Sequence, residues 1–200
     1  MSGSVVVGIT GASGAVYARR LIQVLAQSSY SVDVVMSSAA REVFLEELGQ
    51  DIDQPWESGE LFGLDAATMA ERVTRFGIND FQSRIASGSH LTRGMVVCPC
   101  SGTTLGGIAT GAGGNLIHRA AEVHLKQRRP LVLVPRETPI SLIHIENLRT
   151  LAIAGATILP ASPGWYHGVQ SLSDLVDFMV ARILDQLGID NQLMRRWGER

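Results

Sequence analysis

Lysine is nearly absent from this chain of 200 residues: Lys126 stands alone against sixteen arginines. An ammonium used once, where guanidinium is used freely, marks position 126 as a candidate for a specific task. A basic field is lacking as well. With a formal net charge of −2, nothing overall recruits a polyanion, so nucleic acid is disfavoured as a partner and only local cationic pockets remain open. Cysteine is scarce: there are two, in Cys98-Pro99-Cys100. That spacing is too tight for an ordinary disulfide and lacks the other ligands of a zinc site, so both are expected to be small buried hydrophobes. Of the five histidines, His90, His118, His124, His144 and His167, no pair has the i,i+4 spacing of a helical metal site, and no structural metal is predicted. Nowhere do roughly eighteen apolar residues run together, and no cationic segment precedes an apolar one near the N-terminus. Neither a membrane span nor a signal peptide is expected, which gives the cytoplasm as the compartment.

What is present is a core. Hydrophobic residues make up 46% of the sequence, and no Ser/Pro-rich linker or internal repeat divides it, so one domain over 1–200 is expected. Apolar runs of strand length recur at 5–9, 32–36, 95–98, 131–134 and 157–159, separated by stretches of helical spacing at roughly 14–27, 38–48, 102–111, 115–127, 140–153 and 171–187. This alternation predicts an α/β fold, a central parallel sheet wrapped by helices. Runs such as VVVGI and LVLVP are apolar at every position, as central strands covered on both faces must be. The stretch 50–93 is the least periodic; a short helix near 65–73 and a strand at 72–76 are expected within it.

The first strand runs into GITGASGAVYARRL, where Gly8, Gly11 and Gly14 make a strand, turn and helix whose backbone amides can approach a phosphate, with the Ser13 hydroxyl beside them. No Gly-Lys-Ser/Thr follows, so it is not a Walker loop. A nicotinamide-binding domain is the rival: the second strand ends in Met36-Ser37-Ser38 rather than an acidic ribose holder, yet Arg41 is placed to accommodate a 2′-phosphate. The Tyr-x-x-x-Lys of a short-chain reductase is missing. A second small-residue turn, Cys98-Pro-Cys-Ser-Gly-Thr-Thr104, also follows a strand and opens a helix; Ser101 there is either a ligand contact or a helix cap. Together with Ala86-Ser87-Gly88-Ser89, these turns suit a flat uncharged ring plus a phosphate. The segment 115–139 holds Lys126 and four arginines. Arg119 and Lys126, about two helical turns apart, share a helix face. Arg128 and Arg129 are expected to lie on a solvated basic face. Arg136-Glu137, a charged pair directly after an apolar strand, falls where parallel sheets bind ligands.

These motifs carry a resemblance. GITGASGA, MSSAAR, ASGS, MVVCPCSGTTL, NLIHRAAEVHLKQRRPLVLVPRETP, LPASPGWYH and SLSDLVDFMVARILDQLGI, in that order, resemble the UbiX-type flavin prenyltransferase family over nearly the whole chain outside 50–85. The resemblance implies a flavodoxin-like or Rossmann-like three-layer domain that binds FMN and attaches a dimethylallyl group from dimethylallyl monophosphate to N5 and C6 of reduced FMN, the product serving UbiD-type decarboxylases. Matched position by position, it implies FMN contacts at Gly11, Ala12, Ser13, Ser37, Ser101, Gly102, Thr103, Thr104 and Arg136. It places the prenyl phosphate against Ser87, Gly88, Arg119, Lys126, Arg136, Glu137, Tyr166 and Arg182, and assigns catalytic roles to Ser13, Glu47, Lys126, Glu137 and Trp197. It further implies a homo-dodecamer with sites shared between subunits, the C-terminal tail at about 188–200 packing in that oligomer. The residues fit that chemistry: two phosphate monoesters carry about −1.5 to −2 charges each, and Arg119, Lys126, Arg136 and Arg182 offset them without a metal. A Trp197 face suits an allyl cation, and Glu47, Glu137 or the freed phosphate can take protons. Two other readings stay open. One is an FMN-dependent cysteine-type decarboxylase, although the Pro-x-Met-Asn-x-x-Met-Trp motif of those enzymes is missing; the other is a flavin carrier without catalysis.

Overall fold

The computed structural model describes residues 3–52 and 56–198. Six strands alternate with seven helices: β1 (Ser4–Ile9), α1 (Ala15–Ala26), β2 (Ser31–Met36), α2 (Ser38–Leu48), α3 (Ala66–Arg72), β3 (Val73–Phe76), β4 (Thr92–Cys100), α4 (Gly102–Ala109), α5 (Leu116–Lys126), β5 (Leu131–Pro135), α6 (Leu142–Ile153), β6 (Thr157–Ile158) and α7 (Leu172–Gln186). All strand pairs are parallel, in the order β3-β2-β1-β4-β5-β6. The expected α/β class and the expected elements are found, including the short α3 and β3.

Each central strand feeds two cores, because successive side chains point to opposite faces. Val5, Val7 and Ile9 of β1 join Leu21, Ile22 and Leu25 of α1 and Ile183 and Leu184 of α7 on one side. Val6 joins Val35, Met95, Val97 and the α5 residues Leu116, Ile117 and Ala120 on the other. Each of these fully buried Val, Ile and Leu side chains contributes about 1.5–3 kcal/mol relative to exposure.

The strand order positions the site. The chain leaves β1 toward β2 and leaves β4 toward β5, so the two connections diverge and open a crevice beyond the C-terminal ends of β1 and β4. At this edge lie both glycine-rich turns, Ser37 and the segment after Pro135. The strand β4 is longer than expected, 92–100 instead of 95–98. Gly94 makes the extension possible: a Cβ there would meet Leu187 at 2.7 Å and the Pro130 carbonyl at 3.0 Å.

The helix starts are capped by side chains. Ser37, Asn115, Ser141 and Ser171 accept the N–H of the third residue onward, and Ser171 with Asp174 forms a capping box. The helix α1 is different, since Gly14 (φ 119°) supplies no side chain. In its place the Glu47 carboxylate, from the last turn of α2, accepts from the Gly14 and Ala15 amides at 2.8–3.1 Å. An anion at a helix N-terminus is stabilised by the aligned peptide dipoles.

Candidate active site

The crevice at the C-terminal edge is built from backbone and hydroxyls. After β1 the chain turns through Thr10–Gly14, and Gly11 lies so close to α2 that an added Cβ would be 2.5 Å from Ala39 Cβ. Ala12 is buried and Ser13 exposed on the outer side of the turn. Across the crevice, Ser101 caps α4, its Oγ accepting from Thr104 N at 3.3 Å and donating to Thr104 Oγ1 at 3.1 Å. Ser37 likewise accepts from Ala40 N at 3.2 Å. The capping role considered for Ser101 is therefore real, and Thr103 is exposed beside it.

Thr10, which the sequence reading passed over, joins the two turns. Its side chain is buried, donates to Pro99 O at 2.7 Å and accepts from Ser101 N at 2.8 Å. A threonine after an apolar strand gives no signal of this in sequence, because its partners lie about ninety positions away.

Beside the crevice, the ends of β4, β5 and β6 and the start of α6 enclose a cavity of about 130 Å³ lined by Cys100, Gly102, Arg136, Glu137, His144 and Ala161 among others. Arg136 is half-buried, and its Nε is buried without a hydrogen-bond partner among the described residues. An unpartnered buried guanidinium donor is costly unless a ligand takes it. Gly102 presses on His144, where a Cβ would be 2.2 Å from Nε2. Cys98 and Cys100 are buried free thiols, as expected, and burial raises both thiols, Cys100 to about 12. Tyr17, whose ring lies against Gly14, has its hydroxyl pKa raised, first by burial and then by Cys98 and Glu47.

The remaining candidates form two further groups in the single chain. Arg119 donates from Nε to Ala86 O at 3.2 Å and pairs with Glu122, so it lies against the Ser87-Gly88 segment. Gly88 in turn packs on Gln127, the neighbour of the exposed Lys126. This group sits at the far edge of the sheet from Arg136: α5 ends just before β5 begins, and β5 then carries the chain, at about 3.3 Å per residue, to Arg136. The third group surrounds α7. Tyr166 makes edge-to-face contacts with Phe178 and Trp197 at centroid distances of 5.7 and 5.0 Å. Arg182 pairs with Asp185 at 2.9 Å, and Asp185 also accepts from Arg196. Arg196 first, and Arg182 among the other partners, hold the Asp185 carboxyl below its usual pKa. Trp197 itself is 79% exposed.

One expectation is corrected here. Arg129 is not on a solvated basic face: it donates to His90 O and Gly88 O, both at 2.6 Å. Among the described residues no group of three or more His, Cys, Asp or Glu gathers as metal ligands, and no helix is long and apolar enough to cross a membrane.

Comparison with known proteins places the chain in a family. The Flavoprotein family model matches residues 2–184. A flavin prenyltransferase UbiX of Halalkalibacterium halodurans is 50% identical over 194 residues, 96% of this chain and 92% of that protein. The crystal structure of AnUbiX in complex with FMN and dimethylallyl pyrophosphate superposes with a TM-score of 0.85 at 34% identity, covering 100% of both chains. A dodecameric FMN-dependent UbiX-like decarboxylase from Escherichia coli O157:H7 superposes with a TM-score of 0.82 at 37% identity, over 97% of this chain and 98% of that one. The chain belongs to the flavoprotein family and, within it, to the UbiX-type flavin prenyltransferases.

Proposed function

We propose that this chain transfers a dimethylallyl group from dimethylallyl phosphate to N5 and C6 of reduced FMN, and that the prenylated flavin passes to a UbiD-type decarboxylase. The observation that carries the reading is Arg136, whose buried Nε has no hydrogen-bond partner among the described residues, at the C-terminal edge where the strand order opens a crevice. FMN fits the residues present. Gly11 and Ala12 offer backbone without a protruding side chain, Ser37, Ser101 and Thr104 offer hydroxyls, and Arg136 offers a cation. The reduced flavin supplies the nucleophile.

The protein's part is electrostatic. Cleavage of the allylic C–O bond leaves a phosphate, and Arg119, Lys126 and Arg182 stabilise the developing charge in a site that excludes water. Glu47, fixed against the Gly14 and Ala15 amides, is beside the turn that faces the ring, and Glu137 follows Arg136; both are placed to take protons as the new ring closes. Because Glu47 already occupies the first amides of α1, the phosphate of the flavin belongs with the hydroxyls and Arg136, and the α1 turn faces the ring.

The end of α5 with Lys126 and the end of β5 with Arg136 lie at opposite edges of the sheet, and in this reading a neighbouring subunit brings such groups together. A surface for assembly exists: α6 and its approach expose Ile140, Leu142, Ile143, Ile145 and Ile153, and only Leu151 of α6 is fully buried. A homo-oligomer, of twelve chains by likeness to its relatives, completes the site. A cysteine-type decarboxylase is less well supported, since the relative of highest identity cited above, at 50%, is a flavin prenyltransferase.

Anaerobic incubation of protein, reduced FMN and dimethylallyl monophosphate, with the diphosphate in a parallel arm, tests the reading. The flavin mass is expected to rise by one dimethylallyl group; an unchanged mass with both donors refutes it. The Lys126→Ala variant is expected to keep FMN affinity and to raise the donor KM at least about tenfold, the loss of one charged hydrogen bond. Loss of FMN binding would place Lys126 wrongly.

A further inference from the structure

The segment 84–90, between β3 and β4, carries Ser87 and Gly88; Ile85 and Ala86 root its start in the apolar core, and polar side chains tie the rest. Asp33 is the anchor. It lies in β2 with no exposed surface, on the sheet face where its strand neighbour Val35 joins an apolar core. A parallel sheet has no need of a carboxylate there, and burying one is unfavourable unless it is paired. Its partners are the two ends of the segment. Arg84, at the start, forms an ion pair with Asp33 Oδ1, and His90 Nε2, at the end, is 3.5 Å from Asp33 Oδ2 and 3.3 Å from Ser4 Oγ.

Arg129 closes the segment from the other side. One guanidinium nitrogen donates to Gly88 O and the other to His90 O, a fork that fixes both distance and orientation. The helix end aims it there. Arg128 takes a left-handed conformation (φ 53°), with Arg128 N donating to Leu125 O and Arg129 N to His124 O, the reversal that ends α5 and turns Arg129 back toward 88–90. Arg119 adds the contact to Ala86 O. Between these ties, Gly88 rests on Gln127, directly after Lys126.

We propose that Asp33 and Arg129 are positioning residues for prenyl-phosphate binding: they clamp Ser87 and Gly88 in register with Arg119 and Lys126, so that hydroxyl, backbone and cations converge on one phosphate. This rests on the reading of those four residues as donor contacts. The clamp acts through the segment and touches neither donor nor flavin.

The test uses the assembled protein with Arg129→Ala, Arg129→Lys and Asp33→Asn. With dimethylallyl monophosphate as varied substrate, Arg129→Ala is expected to raise the donor KM about tenfold or more. Turnover at saturating donor and the FMN Kd stay near wild type, and Arg129→Lys recovers part of the loss. Asp33→Asn follows the same pattern if it assembles. In hydrogen exchange, amides of 87–90 in Arg129→Ala exchange at least about tenfold faster while β4 stays protected. An unchanged donor KM, or equal losses in turnover and FMN binding, overturns the proposal. If the wild-type protein prenylates nothing, the donor-site reading fails on its own account; exchange at 87–90 still judges the clamp, and unaltered exchange in Arg129→Ala overturns it.

Discussion

Thr10 shows how a single hydroxyl can couple two turns at the edge of a sheet. It accepts the Ser101 amide and donates to Pro99 O, so each turn at the crevice is fixed by the other. Replacement by valine keeps the shape but strands both partners in a buried place, which costs about 1–3 kcal/mol. Thr10→Val is expected to lower the melting temperature and to weaken FMN binding measured by flavin fluorescence quenching; full FMN affinity would show that the crevice does not depend on this tie. Residues such as Thr10, Asp33 and Arg129 were not legible in sequence for one reason. Their roles are set by partners brought close only by the fold, and a polar residue beside a strand or in an Arg-Arg pair looks the same whether it is solvated or tied. The glycine turns, Ser37, Ser101 and Arg136 were legible because position after a strand already says which sheet edge they occupy.

Helix and strand identities were read well where periodicity is strong and badly only at ends. The β1 and β5 runs are apolar throughout because both faces are covered, and both were found. The start of β4 was missed because Thr92-Arg93-Gly94 reads as a loop, whereas Arg93 reaches Leu187 O and Gly188 O at 2.7 and 2.6 Å and ties this end of the strand to the end of α7. The last turn of α5 holds a testable element. His124 is buried; its Nδ1–H donates to Ala120 O at 2.7 Å and its Nε2 lies 2.8 Å from Thr92 Oγ1, which fixes the neutral tautomer. Burial, the largest cause, lowers its pKa to about 4. The unfolded chain takes up this proton near the ordinary value of about 6.5, so the contribution is complete above that pH and is lost as pH falls toward about 4, by roughly 3 kcal/mol in all. Denaturant unfolding of wild type and His124→Gln across this range is expected to show a shallower pH dependence in the variant. Equal slopes would mean that His124 does not govern it.

At the level of the whole molecule, the end of α5 with Lys126 and the end of β5 with Arg136 lie at opposite edges of the sheet. The exposed apolar surface of α6, with Leu142 and Ile143 each more than 70% exposed, is the natural place for chains to meet. Ile143→Asp is expected to shift the protein to smaller species in light scattering and to abolish prenyl transfer while leaving FMN bound more weakly or unchanged. Intact assembly in that variant would move the interface elsewhere.

The length of the central sheet has a consequence for genetics in a test tube. Lys126 and Arg136 occupy opposite rims of each protomer, so a defect in one and a defect in the other need not coincide at the same shared centre. Mixed particles reassembled from Lys126→Ala and Arg136→Ala chains, assayed at a donor concentration well below the raised KM of the Lys126→Ala protein, should turn over faster than either variant alone, because some centres draw both intact side chains from different parents. No gain in any mixture would mean that each protomer works alone.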